Sequence, residues 1–303
     1  MAATPNLHFA DLNILHEIGG EARTLTVIQR AIDLGYDCVA INIDIGKLSV
    51  DLSTEDQAST SGEPAAKKKK SKISMKTIPE PFVADERKIN VNSLIAQGKR
   101  FRQYSRITAT VDRPDYLHGF FRDKTVLKYD LVALRPETEA CLNTLAVKGE
   151  SVDLLCFEIG AEVPWLYRGK LLNRAIDNVG LTVELCYAPA LGDSSVRAQW
   201  LANGRQLLAQ TRGTKGVILS SGASRPIEVR GPLDAANMTS LMDVHRHVAR
   251  RLVSDNPNRV LLRAEGRRSI RGSIVVRPMS QVDDKTRKLL KTVPEFGDNT
   301  EEC

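Results

Sequence analysis

Leu181-Thr182-Val183-Glu184-Leu185-Cys186-Tyr187 is a short, nearly continuous apolar run. An amphipathic stretch over 193–210 follows, with Val196, Trp200 and Leu207 on one face and Ser194 and Ser195 as candidate caps. A second apolar run, Val217-Ile218-Leu219, comes next. Strand, helix and strand in that order predict a right-handed βαβ unit with parallel strands. Runs this apolar belong to strands covered on both faces. The unit recurs in both directions along the chain. Upstream, strands are predicted over 7–14, 38–43, 106–111, 131–134 and 152–157. Helices are predicted over 21–34, ended by Gly35, from Pro136 onward, and over 165–179. Downstream, a helix over 233–253 carries Met238, Leu241, His245, Val248 and Leu252 as one apolar stripe, with His245 as a core histidine. A strand over 260–262 and a closing element over 267–276 complete the pattern. About eight units predict an α/β fold of the closed (β/α)8 TIM-like barrel type. A doubly wound open sheet is the alternative, but the turn over 13–20 lacks its G-x-G-x-x-G signature.

Two segments break the rhythm. Residues 48–81 are rich in Ser, Thr, Glu, Pro and Lys and predict a disordered insertion within a single barrel domain over 1–277. Its centre, Lys67, Lys68, Lys69, Lys70 and Lys72, reads either as a nuclear import signal or as a solvated charge run. Residues 278–303 are polar and predict a flexible tail. The 303 residues are 42% hydrophobic, enough for a sizeable core. Lys and Arg outnumber Asp and Glu by 43 to 37, which inclines the protein toward polyanionic partners. Five cysteines without a C-x-x-C pair argue against a disulfide framework and predict a reducing compartment. No apolar run is long enough for a signal peptide or a membrane span, so a soluble intracellular protein is expected.

Barrels of this type place reacting groups at the C-terminal ends of the strands. The residues expected there are Asp11, Asp44, Arg135, Glu158, Glu184, Ser220, Ser221 and Arg263. Acids at a barrel mouth can bind a metal and activate water. A metal-dependent phosphoesterase using Asp11, Glu158 and Glu184 is therefore the alternative function. Such an enzyme would normally add histidines at strand ends. Here Asp11-Leu12-Asn13 stands where His-x-His would follow the first strand, and none of His8, His16, His118, His245 and His247 falls at the end of a later strand. His245 and His247, two apart on a predicted helix, point to different faces. The structural reading of Glu184 requires a charged or hydrogen-bonding partner, for which Arg135 and Arg263 are the candidates. No catalytic residue, metal ligand or cofactor is assigned, and no G-x-S-x-G elbow surrounds Ser220-Ser221-Gly222.

Three basic groups are candidates for RNA contact: Lys99, Arg100, Arg102 and Arg106, interleaved with Phe101 and Tyr104; Arg225 and Arg230, with Glu228 between them; and Arg263, Arg267 and Arg268. Guanidinium groups beside aromatics suit phosphates and unstacked bases, and arginine favours bidentate phosphate recognition. The first group reads equally as a solvated face entering a strand.

Several stretches carry a resemblance. They are Phe9-Ala10-Asp11-Leu12, Leu34-Gly35-Tyr36 through Ala40-Ile41-Asn42, and Asp130 to Arg135 with Pro136-Glu137-Thr138-Glu139. Val152-Asp153-Leu154-Leu155-Cys156, Ala175-Ile176-Asp177 and Val183 to Ala190 follow. The most specific is Val217-Ile218-Leu219-Ser220-Ser221-Gly222-Ala223 running into Arg225-Pro226-Ile227-Glu228-Val229-Arg230-Gly231-Pro232. In this order, over about 7–276, the chain resembles the thirty-kilodalton barrel-type protein subunit of nuclear ribonuclease P and ribonuclease MRP. The resemblance implies a barrel related to polymerase-and-histidinol-phosphatase-type barrels but without their metal ligands. It implies a non-catalytic subunit of a ribonucleoprotein whose RNA cleaves precursor tRNA at its 5′ end, with a sister particle acting on ribosomal RNA precursors. Expected partners are the catalytic RNA, precursor tRNA, a small ferredoxin-like subunit and other subunits of the particle. The expected location is the nucleus and nucleolus. The insertion over 48–81 is longer than the family usually has.

Overall fold

The computed structural model describes residues 8–48, 50, 51, 74, 75, 78–163, 169–211, 216–269, 282, 284–290 and 292. Seven parallel strands run in chain order around a nearly closed barrel. They are β1 (Ala10–Leu15), β2 (Cys38–Lys47), β3 (Arg102–Val111), β4 (Leu131–Pro136), β5 (Leu154–Leu155), β6 (Thr182–Cys186) and β7 (Val217–Ser220). Helices α1 (Glu21–Asp33), α2 (Asn92–Ala96), α3 (Asp115–Arg122), α4 (Glu139–Lys148), α5 (Gly169–Val179) and α6 (Ser194–Gln210) lie between them. The strand–helix–strand unit read at 181–219 is present as β6, α6 and β7, with Val183 paired to Val217 and Cys186 to Ser220.

Local sequence sets the helix ends. α1 stops at Gly35, whose φ of 103° places it in the left-handed region. The Gly35 and Tyr36 amides donate to the Ile32 and Ala31 carbonyls, which satisfies two terminal acceptors of the helix. Pro136 does not open a helix as expected. It is the last residue of β4, and α4 begins after Thr138, whose hydroxyl accepts from the Cys141 amide. In α6 the cap is Asp193 rather than Ser194 or Ser195, because its carboxylate accepts from the Ser195 and Val196 amides. Trp200 anchors α6: it is buried, and its indole N–H donates to the Cys186 carbonyl at 2.7 Å.

The eighth strand expected over 260–262 is not a strand. It lies inside helix α9 (Asp255–Ser269). The predicted helix over 233–253 is broken into α7 (Pro232–Met238), a 3-10 turn and α8 (Arg246–Arg251). The break falls at Asp243, which has a φ of 62°. His245 is consequently an exposed residue at the start of α8, not a core histidine. The link between α8 and α9 takes the place of the missing strand. The Leu252 carbonyl accepts from the Leu219 amide of β7 at 3.0 Å, and the Val253 carbonyl accepts from the Ala10 amide of β1 at 3.0 Å. At the other end of the seam, Ile14 bridges Ala223, and the Leu15 amide donates to the Ala223 carbonyl at 2.9 Å. Backbone groups that an eighth strand would have satisfied are thereby paired.

α9 plugs the N-terminal end of the barrel. Val260, Leu261 and Ala264 pack against the inward residues Ala10, Leu12, Cys38, Ala40, Leu131 and Leu154. Two arginines of α9 hold it there. Arg263 donates to the carbonyls of Val152 and Val179, and Arg267 reaches both oxygens of Asp153, which has 0% exposure. The tail over 278–303 was expected to be flexible, but α10 (Asp284–Leu290) is folded and Leu289 is buried in the same cluster. Leu48 and Ile78, near the two ends of the insertion predicted over 48–81, are also buried in the core. Residues 52–73, with the lysine run, lie outside the described residues.

Asp153 ties the plug to the barrel, since its carboxylate also accepts from the Val132 amide at 2.9 Å. Replacing it by Ala takes the carboxylate from Arg263, Arg267 and the Val132 amide, leaving the two part-buried guanidinium groups only backbone carbonyls. The expected loss is about 3 kcal/mol or more. Hydrogen exchange is the sharper measurement: amides of α9 should exchange faster by a larger factor than those of α1. Equal acceleration in both helices would show that the clamp is not local to the plug.

Candidate nucleic-acid interface

The barrel interior beneath the mouth, where an enzyme of this architecture would carry its reacting groups, is filled by an ion pair. Arg106 on β3 and Glu184 on β6 both have 0% side-chain exposure. Two guanidinium nitrogens donate to the two carboxylate oxygens, each at 2.6 Å. Around them runs a closed ring of hydrogen bonds. Arg106 Nε donates to Thr108 Oγ1, Thr108 Oγ1 to Asn42 Oδ1, Asn42 Nδ2 to Asn13 Oδ1, and Asn13 Nδ2 to Glu184 Oε2. Arg106 also donates to the Leu12 carbonyl at 2.6 Å. Burial by itself would raise the Glu184 carboxyl, but the adjacent guanidinium outweighs it and holds the group below its usual value. The partner of Glu184 is therefore Arg106, not Arg135 or Arg263. Those two pair with Asp44 and Asp153 instead. Arg106, expected to contact RNA, has no route to it.

The three acids considered as a metal set are separated in role. Glu184 is committed to Arg106. Glu158 is exposed on the rim. Asp11 turns to the seam, where its Oδ1 accepts from the Ser221 amide at 3.0 Å and the Asn13 amide at 3.2 Å. Its Oδ2 is buried without a hydrogen-bond partner. Burial pushes the Asp11 carboxyl up to about 6, and the hydrogen bonds offset this only in part. Among the described residues no group of three or more His, Cys, Asp or Glu is placed to hold a metal ion. His8 bonds to Asp37, His16 stacks on Phe82 at 4.0 Å, and His245 stacks with His247 in solvent.

The basic groups divide between structure and surface. In the first, Lys99 is buried over the Phe9 ring, and Arg102 is 7% exposed and paired with Asp37 and Asn258. Arg100 alone is open to solvent. Tyr104 is buried under Lys285 and Phe101 is half-buried, so neither ring stands out from the surface to stack on a base. In the second, Arg225 is exposed but bonded to Glu228, and the exposed Arg230 uses its amide on the Tyr187 hydroxyl. In the third, Arg263 and Arg267 hold Asp153, and Arg268 holds Asp130 and Glu265. Sequence reading missed the cations of α10, Arg287 and Lys288, because the polar tail masked a short helix. The signal was Leu289-Leu290 three and four residues after Thr286.

Three variants test this interior. Arg106→Met leaves Glu184 as a buried, uncompensated charge and should cost about 3–5 kcal/mol in urea unfolding, while Arg106→Met with Glu184→Leu should recover most of it. A double variant no more stable than the single would refute the pairing. Asp11 has a folded value above its ordinary 3.8, so folding favours its neutral form. That contribution is complete below the ordinary value and is lost as pH rises through about 6. Asp11→Asn should therefore be more stable than the parent by about 2–3 kcal/mol near pH 8, with the gap closing near pH 4. A gap independent of pH would show that Asp11 titrates normally.

Comparison with known proteins agrees with this architecture. The sequence model of the family described as RNase P subunit p30 matches residues 8–269. The mouse ribonuclease P protein subunit p30 is 30% identical over 290 residues, spanning 93% of this chain and 97% of that protein. The Saccharomyces cerevisiae ribonuclease P/MRP protein subunit RPP1 is 29% identical over 201 residues, 62% of this chain and 67% of that protein. A chain in the cryo-EM structure of archaeal ribonuclease P with mature tRNA has a TM-score of 0.53 at 14% identity, covering 89% of this chain and 99% of that one. At that identity the likeness shows the fold alone. With a family match over most of its length and a mouse relative aligned nearly end to end, the chain belongs to the ribonuclease P subunit p30 family.

Proposed function

We propose that this chain is a non-catalytic protein subunit of a nuclear ribonuclease P particle, and of ribonuclease MRP. In that reading it supports RNA-catalysed 5′-end maturation of precursor tRNA and the processing of ribosomal RNA precursors. The observation that carries the reading, beside family membership, is the Arg106–Glu184 ring. It fills the part of the barrel where an enzyme would need free acids and space for a substrate. A barrel spent on rigidity supplies a stable outer surface, and its work is to hold other molecules in place. Those molecules are the catalytic RNA, precursor tRNA, a small ferredoxin-like subunit and other proteins of the particle. RNA contact falls to cations that the fold leaves at the surface, among them Arg100, Arg225 and Arg230. No helix among the described residues is long and apolar enough to cross a membrane. Lys67, Lys68, Lys69, Lys70 and Lys72 serve nuclear import, and the protein concentrates in the nucleolus.

The test is affinity purification of the tagged full chain, with sequencing of bound RNA and assay of precursor tRNA cleavage. The expected result is recovery of one or two defined RNAs with cleavage activity, and no cleavage by the chain alone. Activity of the isolated chain near the rate of the particle, or recovery without RNA, would refute the reading.

A further inference from the structure

At the N-terminal end of the barrel, opposite the mouth, a cleft of about 410 Å³ opens between the turn after α2 and helix α10. Four cations line it: Arg100, Arg102, Arg287 and Lys288. They come from two segments far apart in sequence, so the cluster is made by the fold and not by a single basic run. Among the described residues the only acid on the lining is Asp284, which lies 3.5 Å from Arg287. Arg102 forms the inner wall. Its guanidinium is fixed from behind by the fully buried Asp37 at 3.5 Å and by Asn258 at 3.3 Å, with Thr292 at 3.5 Å. Arg100 and Lys288 make no ion pair among the described residues and are exposed. Gly98, at a φ of 70°, turns the chain sharply before Arg100 and adds no side chain to the wall.

We infer that this cleft binds a phosphate of a polynucleotide backbone, so that RNA meets the barrel at its N-terminal end. The inference rests on the proposed role of the chain in an RNA particle and names the surface that role would use. A fixed arginine flanked by two unpaired cations suits a phosphate, which accepts several charge-assisted hydrogen bonds at once. The cleft is open to solvent, as a continuous strand requires, and none of its described lining residues is an aliphatic one, so a ligand there is held by charge and hydrogen bonds. α10 contributes both a wall and a free cation, which gives the C-terminal segment a task beyond packing Leu289.

The test uses the full chain and a labelled single-stranded RNA, with affinity measured across a salt series. Each lost phosphate contact should lower the slope of log affinity against log salt by about 0.7. Arg100→Ala with Lys288→Ala takes both exposed cations from that one phosphate and should thus lower the slope by about 0.7 and weaken binding at low salt, with melting temperature unchanged because both side chains are exposed. An unchanged slope with RNA binding intact would overturn the cleft while sparing the proposed function. Failure of the parent chain and of its purified particle to hold RNA would instead remove the proposed function. Inorganic phosphate at millimolar concentration distinguishes the source: competition well beyond that of chloride at equal ionic strength would mark a site for free phosphate and overturn the polynucleotide assignment. Loss of a protein subunit from the particle with the RNA slope unchanged would reassign the cleft to an acidic protein segment and overturn it too.

Discussion

A guanidinium and a carboxylate that have both left water each carry a desolvation cost of several kcal/mol. Arg106 and Glu184 recover it only by meeting face to face, at two points of 2.6 Å, inside a barrel that holds them at that spacing. The rest of the structure is arranged around this requirement. Asn13, Asn42 and Thr108 come from three successive strands and supply the remaining hydrogen bonds, so β1, β2, β3 and β6 are fixed in mutual register by one network. A polar network of this kind stabilises only when complete, because any missing member leaves a buried group without a partner. The interior therefore has a rigid centre whose two charged members are committed to each other. Asp11 lies outside the ring and faces the seam.

The same economy governs the positive charge. A net charge of +6 looks like an excess available to a polyanion. In the folded chain Arg106, Arg263, Arg267 and Arg268 are engaged by acids of the barrel and its plug. What reaches the surface is set by which acids fall within reach of which arginines. The overall count does not measure it, and a residue in a basic stretch can be a structural strut.

The alternation of apolar runs and amphipathic stretches was sufficient to reveal a parallel barrel, and Gly35 to mark a helix end. Both depend on local pattern, which sequence displays directly. The pairing of Glu184 was not legible. Arg135 and Arg263 were the candidates and neither is the partner, because the pairing depends on strand register across the barrel, with Arg106 seventy-eight residues away in sequence. Val260-Leu261-Leu262 misled for the reason short apolar runs do: a buried turn of helix and a buried strand have the same composition. The cleft was half visible. Arg100 and Arg102 stood out as basic, but Lys288 joins them only because Leu289 is drawn into the core and brings α10 across the barrel end.

The seam between β1 and β7 has a consequence for how the chain is made. β1 precedes the other six strands in the chain and leaves the ribosome before them, yet its edge is paired by Ala223 and by the carbonyl of Val253. All seven strands must be synthesised before that edge can be covered. Until then, the first strand presents unpaired amides and carbonyls of the kind that recruit other strands. The barrel is thus completed from its C-terminal side. A chain stopped before Leu252 would hold all seven strands and still lack the piece that closes them.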